Sequence, residues 1–332
     1  MTAGGRIMKK MMGFLAAMQT GLVLLVLVGL AAALGSAFLP DTFYKTIIFK
    51  ILLGLLFFNL LLCTSRQIRG LPKAYARRLP ARQLLMQTGL TGLHLGVVLI
   101  IAGGAVCMYW GQTGEIHLVK GQSADIREIK AKKPFMLQLD DFEMRYNEDG
   151  STAQYYSYLT ILKNHQAEQK AVISVNHPLR YQGVKVYQMS YGYFIKVQLV
   201  LAGEKQTERL CREGDRITFP DSRQALKAYR YLPDFDPRQG MTSRSMRPNN
   251  PHLIFSVYKG EQLQGIGAVK AGEKVRLDAG HEVVFTGVEP YTVLKLKSDP
   301  GLPLVLCGGV LLTMGVTMAW IAAVLNRKAA YS

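Results

Sequence analysis

His94 is the residue of this sequence whose type and position best suit metal binding. It lies within an apolar segment, 90–109, and an ionisable side chain inside a membrane helix is costly enough to mark a functional candidate. A neutral imidazole can ligate haem iron through one ring nitrogen when the other nitrogen has a partner. The alternative is an interfacial histidine that hydrogen-bonds to a neighbouring helix or to a lipid headgroup. The residue type alone leaves both interpretations open.

Small and polar residues accompany this candidate. Gly92 and Gly96 flank His94, and they would let either a flat macrocycle or another helix approach closely. The histidine is expected about one turn into its membrane helix, near the cytoplasmic interface. Asn59 lies in another apolar segment, and we expect it to bond helix to helix rather than to contact a substrate.

The other reactive side chains lack a catalytic or metal-binding spacing. Five further histidines show neither HxxxH nor HExxH, and we expect solvated or capping roles for them: His117, His165, His177, His252 and His281. The cysteines form neither CxxC nor a zinc pattern, so no thiol redox centre is predicted. Cys107 and Cys307 either meet, if their helices pack together, or are small buried apolar residues. No Ser-His-Asp arrangement, carboxylate pair or glycine-rich phosphate loop argues for hydrolysis.

Four nearly uncharged segments predict membrane-spanning helices. They cover residues 14–39, 47–63, 90–109 and 302–325, and a span needs roughly 20 apolar residues. The second contains Lys50, whose long side chain can reach the interface from near a helix end. The first resembles a signal peptide, but its apolar part exceeds the usual 7–15 residues or so, which favours an uncleaved anchor.

The net charge of +17 belongs mainly to these membrane segments and does not predict nucleic-acid binding. Residues 1–110 and 301–332 contain 13 of the 40 Lys and Arg but only one of the 23 acidic residues, Asp41. Basic residues in short loops stay cytoplasmic, which orients the chain with both termini inside. The predicted order is cytoplasmic 1–13, transmembrane 14–39, transmembrane 46–63, basic cytoplasmic loop 64–86, transmembrane 87–110, extracytoplasmic 111–300, transmembrane 302–325 and cytoplasmic tail 326–332.

The predicted fold is a membrane protein with three N-terminal helices, one C-terminal helix and a β-rich, sandwich-like extracytoplasmic domain. Between residues 111 and 300 the apolar residues alternate, as in 195–201, and turn sequences separate the alternating segments. This pattern is typical of half-buried strands. The Pro-rich stretch 233–251 has no periodicity and is predicted to be a long surface loop, either functional or merely mobile.

Several segments, in order along the chain, resemble the ResB family, also called CcsB in some organisms. Residues 175–192 (VNHPLRYQGVKVYQMSYG) are similar to its most recognisable stretch. Shorter matches are FYKT at 43–46, LLLCTSR at 60–66, HLG at 94–96, GG at 103–104, GQTGE at 111–115, LPDF at 232–235, NP at 250–251 and DPGLPLV at 299–305. The resemblance covers most of the chain, although the chain is shorter than many relatives.

The resemblance implies a role in cytochrome c biogenesis. ResB-type proteins work with a ResC or CcsA-type membrane protein, and the pair moves b-type haem outward and attaches it to apocytochrome c. That partner carries a tryptophan-rich motif, whereas this chain has only Trp110 and Trp320, so the attachment centre is expected on the partner. This chain would be a non-catalytic subunit, with a ResA-type thiol reductant as a further partner. His94 matches the family's intramembrane histidine and would ligate haem in transit.

Two other interpretations keep the same membrane topology. The chain could be an anchored extracytoplasmic scaffold without haem contact, in which His94 is structural. It could also be a transporter permease subunit, although it has no nucleotide-binding motif. Copurification of a tryptophan-rich multispanning protein would favour the haem-handling role in cytochrome c biogenesis over both of these interpretations.

Overall fold

The computed structural model describes residues 13–38, 42–127, 129, 134–201, 205–219 and 222–331. These residues form two compact units, one of residues up to 111 and from 299 onwards and the other of residues 112–298. Nearly all of the predicted cytoplasmic segment 1–13, and Asp41, lie outside the described residues. So do the side chains of Lys45, Arg327 and Lys328.

The first unit contains the four predicted helices. Their bounds are α1 Met18–Phe38, α2 Ile47–Ala76, α3 Ala81–Trp110 and α4 Leu302–Tyr331, with a short 3₁₀ turn at Phe43–Lys45 before α2. Each is long and apolar enough to cross a membrane, counted to Asn326 in α4. Large apolar side chains on their outer surfaces are exposed, as Trp320 is at 67%. Such a surface suits a lipid solvent rather than water. The prediction of three N-terminal helices and one C-terminal helix is confirmed.

Helices α2 and α3 extend well beyond their apolar segments. The basic segment 64–86 is therefore mostly helical, with a turn at 77–80 where Arg78 has a φ of 49°. Helix α2 continues past Pro72, which lies inside it. Arg66, Arg69, Lys73 and Arg82 consequently project from helices, and Arg77 and Arg78 project from a short turn rather than from a long loop.

Helices α3 and α4 are held together by glycines that recur every seven residues. Gly89, Gly96 and Gly103 of α3 lie opposite Gly315, Gly308 and Gly301, respectively, so the two helices are antiparallel. A Cβ added at Gly96 would lie 2.6 Å from the Gly308 carbonyl oxygen, which is closer than real Cβ contacts. The backbones are therefore in direct contact, the packing that small residues permit between membrane helices.

Side chains of α2 bond to backbone carbonyls just before the start of α1. Asn59 is buried, and its Nδ2 donates to the carbonyl oxygens of Leu15 and Ala17, at 2.5 and 3.2 Å. Arg66 Nη1 donates to the Ala16 carbonyl oxygen at 3.1 Å. These bonds supply partners for the carbonyls of Leu15 and Ala16 just before α1 and add a second to Ala17, whose carbonyl also accepts from the Gly21 amide. The expectation that Asn59 bonds one helix to another agrees with these contacts.

The second unit is built of antiparallel strands. They are β1 Gln112–Val119, β2 Ser123–Asp125, β3 Met136–Tyr146, β4 Thr152–Lys163, β5 Gln166–Ser174, β6 Leu179–Tyr181, β7 Val184–Leu201, β8 Lys205–Cys211, β9 Arg216–Thr218, β10 Gln224–Leu232, β11 His252–Lys259, β12 Gln262–Lys270, β13 Lys274–Arg276 and β14 His281–Ser298. Within the described residues they form a central sheet of β1, β6–β8, β13 and β14, and two four-stranded sheets, β2–β5 and β9–β12. The prediction of a β-rich, sandwich-like domain is confirmed.

The long strands β7 and β14 run through both halves of this unit. Each has 18 residues, and they pair with one another along their full length. At one end they are flanked by β1 and β6 and at the other by β8 and β13. Leu137 of β3 and Val186 of β7 belong to one apolar core, whereas Leu226 of β10 and Val197 of β7 belong to another. The two smaller sheets thus each cover one end of the central sheet.

Two β-bulges keep the buried residues of β7 and β14 on one face. One extra residue, Met189, interrupts the pairing on β7, and another, Thr286, interrupts it on β14. After each bulge the alternation of buried residues shifts by one position, from Val186 to Ile195 in β7 for example. Without these insertions half of each strand would present the wrong side chains to its core.

The stretch 233–251 is organised by one carboxylate. Asp234 is only 2% exposed, and its Oδ2 accepts hydrogen bonds from Ser245 Oγ at 2.7 Å and Arg244 Nε at 3.2 Å. Asn249 Nδ2 donates to the same oxygen at 3.3 Å. The Ser245 bond is the main cause that lowers the pKa of Asp234. This loop, expected to be either functional or mobile, therefore has a fixed anchor.

A single methyl group placed on the glycine face should loosen the α3–α4 pair. We expect Gly308→Ala to destabilise the helices by about 1–3 kcal/mol, because its Cβ would lie 2.7 Å from the Gly96 carbonyl oxygen. Gly309→Ala is the matched control, since a Cβ there meets nothing within 4 Å and Ala favours helix. Thermal unfolding of the purified chain in detergent measures both variants. Equal melting temperatures would contradict the proposed backbone contact.

Asp278 should contribute stability that depends on pH. Hydrogen bonds from Ser222 Oγ, the Gly280 amide and His281 Nδ1, with the Ser222 bond the largest cause, lower the pKa of Asp278 to about 2. Because this folded-state pKa is below the unfolded value of about 3.9, its contribution is full above that value and is lost as the pH falls towards about 2. We expect Asp278→Asn to lower the melting temperature near neutral pH, with the difference shrinking in acid. Glu261→Gln, at a side chain 91% exposed, is the control.

Candidate functional site

His94 has one ring nitrogen bonded and the other available. Its Nδ1 lies 2.7 Å from the carbonyl oxygen of Leu90, one turn earlier in α3. A carbonyl only accepts, so Nδ1 must carry the proton, and the neutral ring then has its lone pair on Nε2. No hydrogen bond engages Nε2 within the part of the chain that the structure describes. This arrangement meets the requirement for an imidazole that ligates a metal through Nε2.

His94 lies near the middle of α3 rather than one turn from its start. The helix begins at Ala81, so His94 follows about 20 Å of helix at 1.5 Å per residue. The sequence-based estimate placed it nearer the start because it counted from the apolar residues, whereas the helix begins well before them. The side chain is partly buried.

Two opposite faces of α3 have different roles. The glycine face, Gly89, Gly92, Gly96 and Gly103, contacts α4. His94 lies on the opposite face of the helix. Residues spaced three or four apart share this face with it, namely Gln87, Leu90 and Thr91 before it and Ile101 and Ala105 after it. His94 itself lies between two grooves that α3 forms with α2, of which the first is lined by Gln87, Leu90 and Thr91 and the second by Ile101 and Ala105.

The first groove, here called the basic groove, lies between the C-terminal end of α2 and the N-terminal end of α3. Its volume is about 420 Å³. Its lining residues are Gln67, Gly70, Lys73, Ala74, Arg77, Leu79, Gln87, Leu90 and Thr91. None of these lining residues is acidic, so the groove has a positive potential next to the carbonyl that binds His94.

The second groove, here called the apolar groove, lies on the far side of His94 along α3. It has a volume of about 200 Å³ and is lined mainly by Phe49, Leu53, Phe57, Ile101 and Met108. Lys50 and Tyr44 also line it. The expectation that Lys50 lies near a helix end is consistent with its place in the first turn of α2.

The glycines beside His94 make room for helix α4 rather than for a macrocycle. Gly92 lies against Gly315, and Gly96 lies against Gly308 and Leu312, all on the α4 side. The sequence left open whether a flat ligand or a helix occupies this space. Helix α4 fills it, so a ligand of His94 would approach from the α2 side.

The second unit contains a cleft that sequence reasoning missed. It has a volume of about 620 Å³ and is lined by tyrosines and arginines, including Tyr191, Tyr193, Tyr231, Arg212 and Arg230. Burial raises the pKa of Tyr231 to about 12 and that of Tyr193 further still, so both hydroxyls remain protonated. Only the spacing of tyrosines around the bulge of β7 could have signalled this cleft.

The remaining candidate side chains do not form a second site. His281 Nδ1 pairs with Asp278 Oδ1 at 2.7 Å, His252 Nδ1 bonds to the Asn250 carbonyl, and His117 stacks on Tyr291. Among the described residues there is no cluster of three His, Cys, Asp or Glu that could hold a metal. The four cysteines, all described, are free thiols, so Cys107 and Cys307 are not paired.

The chain is similar to proteins of one family. The model of the ResB-like family matches residues 81–323. A relative named cytochrome c biogenesis protein CcsB from Synechococcus sp. (strain WH7803) is 28% identical over 75% of this chain and 56% of its own length. A protein of the same name from Gloeobacter violaceus is 26% identical over 69% of this chain and 50% of its own length. The chain thus spans about half the length of the curated relatives it matches.

Among solved structures, one similar chain is named Cytochrome c Heme Lyase CcmF. The match has a TM-score of 0.33 and 12% sequence identity, and it covers 91% of this chain and 34% of the other.

The bond between His94 and Leu90 should fix the tautomer of the ring. We expect neutral His94 to be the Nδ1–H form, because the Leu90 carbonyl oxygen 2.7 Å away can only accept. Solid-state ¹⁵N spectra of the histidine-labelled chain in lipid measure this, with the His94 signal assigned from its loss in His94→Ala. A His94 signal of the Nε2–H form would contradict the proposed availability of Nε2.

Proposed function

The chain belongs to the ResB-like family, and on that premise we propose that it serves cytochrome c biogenesis by holding haem within the membrane for attachment to apocytochrome c. The haem is cargo, bound as a b-type haem in transit. The chain would be a non-catalytic subunit of the attachment machinery. The relatives that carry the name cytochrome c biogenesis protein support this role.

The observation that carries the proposal is the geometry of His94. Its Nδ1 is satisfied by the Leu90 carbonyl oxygen at 2.7 Å, which leaves Nε2 as a ligand atom on the face of α3 that borders both grooves. Haem iron in proteins is commonly held by a histidine whose second nitrogen is oriented in this way. Apolar side chains along α3 and α2 would contact the macrocycle, since the apolar groove is lined largely by them.

A second subunit would complete the site. We infer a ResC or CcsA-type membrane protein as partner, with a histidine of that protein as the other axial ligand of the iron. In this family the partner carries the tryptophan-rich motif, which supports this arrangement. His94 would then share the haem with the partner rather than hold it alone.

The membrane orientation belongs to the same proposal. Both termini and the basic segment 64–86 would be cytoplasmic, and residues 111–300 would lie outside the cytoplasm, across the cell (inner) membrane. The excess of Lys and Arg in the short segments next to the helices supports this orientation. The basic groove would accordingly open towards the cytoplasm.

The extracytoplasmic unit would bind other proteins. Its cleft is lined by Tyr191, Tyr193, Tyr231, Arg212 and Arg230, and tyrosine and arginine dominate the energetics of protein interfaces. We infer that this cleft binds either apocytochrome c or a ResA-type thiol reductant during haem attachment. A scaffold without haem contact would use the same cleft, so haem binding at His94 decides between the two functions.

His94→Ala should abolish haem retention. We expect the haem content of the purified chain with its copurified partner to fall to about a tenth of the wild-type value or less, because an iron ligand is lost. Soret absorbance per protein measures this, together with the yield of holocytochrome c in the expressing cells. His117→Ala, which removes an imidazole from β1, is the control. Unchanged haem content in His94→Ala would reject the haem role and favour the scaffold.

A further inference from the structure

The basic groove holds two cations on one wall. Lys73 and Arg77 are four residues apart at the end of α2, so they lie on the same side of the helix. Both line the groove, and the opposite wall is formed by Gln87 and Thr91 of α3. Both residues are exposed, and an ammonium and a guanidinium that line one groove can bind a group with two negative charges, or two carboxylates.

The groove also contains a hydrogen-bonding group without a partner. Gln67 Oε1 is buried, and no hydrogen bond reaches it from the described residues. Rotating the amide about its last bond exchanges the oxygen for the NH₂ group, which would present a donor to an anionic ligand. Leaving such an amide unsatisfied costs free energy, so a ligand that bonds to it would be stabilised.

The groove and His94 lie within the reach of one ligand. Leu90 lines the groove, and its carbonyl binds His94 Nδ1. At 1.5 Å per residue, Leu90 and Thr91 lie about 5–6 Å along α3 from His94, and Gln87 lies about 10 Å away. All are on the same face of the helix. A flat molecule whose centre is held at His94 would therefore place one edge in the basic groove.

Haem has the required chemistry. It is an apolar macrocycle with the metal at its centre and two carboxylates on one edge. We propose that Lys73 and Arg77 in the basic groove bind the carboxylates of the haem whose iron is ligated by His94, and so orient the macrocycle along α3. This inference rests on the proposed function. It adds contacts to the haem carboxylates besides the bond from His94 to the iron. These contacts determine which edge of the haem faces the turn between α2 and α3.

An anionic lipid is the competing occupant of the groove. Clusters of Lys and Arg beside membrane helices commonly bind lipid phosphates, and the shared chemistry is an anionic group on an amphiphile. Haem is favoured here because the basic groove is lined by Leu79 and by Leu90, and the carbonyl of Leu90 bonds to the available histidine. A lipid phosphate would need only the cations Lys73 and Arg77, and not the histidine or the leucines.

The test compares haem with its dimethyl ester, which lacks both carboxylate charges. The purified chain is reconstituted with its copurified partner in phosphatidylcholine nanodiscs, and each ligand is titrated by Soret absorbance. We expect the wild-type chain to bind haem about tenfold more tightly than the ester. The variant Lys73→Gln/Arg77→Gln should bind both with similar affinity. Arg69→Gln/Arg82→Gln also removes two positive charges, one from α2 and one from α3, at positions that do not line the groove, and it should retain the preference.

Four outcomes are distinguishable. Loss of the preference in the Lys73/Arg77 variant alone supports the inference. Equal binding of both ligands by the wild-type chain, with His94→Ala losing both, overturns the carboxylate site and leaves the proposed function intact. A variant that keeps the haem preference but no longer binds vesicles containing phosphatidylglycerol assigns the groove to lipid. If the wild-type chain with its copurified partner binds neither ligand, both the inference and the proposed function are contradicted.

Discussion

The direct contact between the backbones of α3 and α4 sets the rotation of α3 about its own axis. Gly89, Gly96 and Gly103 let the backbones of the two helices touch, and membrane helices lack the hydrophobic force that would otherwise drive them together. Because the glycine face is committed to α4, the residues on the opposite face must point towards α2. His94 is among them, so the orientation of the candidate ligand follows from glycines that never touch it.

The second unit solves a comparable problem with bulges. Strands β7 and β14 each contribute to two cores, and strict alternation over 18 residues would place the residues of one core on the opposite face of the sheet from those of the other. The extra residues Met189 and Thr286 shift the alternation by one position, so that both sets of buried side chains lie on the same face. The same region contains a buried polar group of Ser157, Gln188 and Thr292, in which every side chain bonds to another. Two apolar cores separated by a satisfied polar layer can pack as distinct halves of one sheet.

The sequence was sufficient for the helices and for the β-rich character of the second unit, because uncharged segments and alternation are local signals. The role of Asn59 also followed, since a buried amide in hydrocarbon must bond to something. The purpose of Gly92 and Gly96 did not follow from their neighbours. The seven-residue recurrence of glycine in both α3 and α4 was the available signal, and it reports on a contact between distant segments. The anchor of the loop 233–251, Asp234, was equally hidden, because its partners are defined only by the folded loop.

The basic segment 64–86 illustrates how secondary structure changes the meaning of a charge pattern. In a loop, Lys and Arg would be mobile and their contribution to binding would be reduced by the entropy of ordering them. Here α2 continues to Ala76, Arg77 caps it and α3 begins at Ala81, so the backbone that carries Lys73 and Arg77 is ordered across the groove from Thr91. An anion that bound there would have to order only the two side chains and not the backbone. The extension of the helices beyond the apolar residues is therefore what brings two cations of the basic segment into the groove that Leu90 lines.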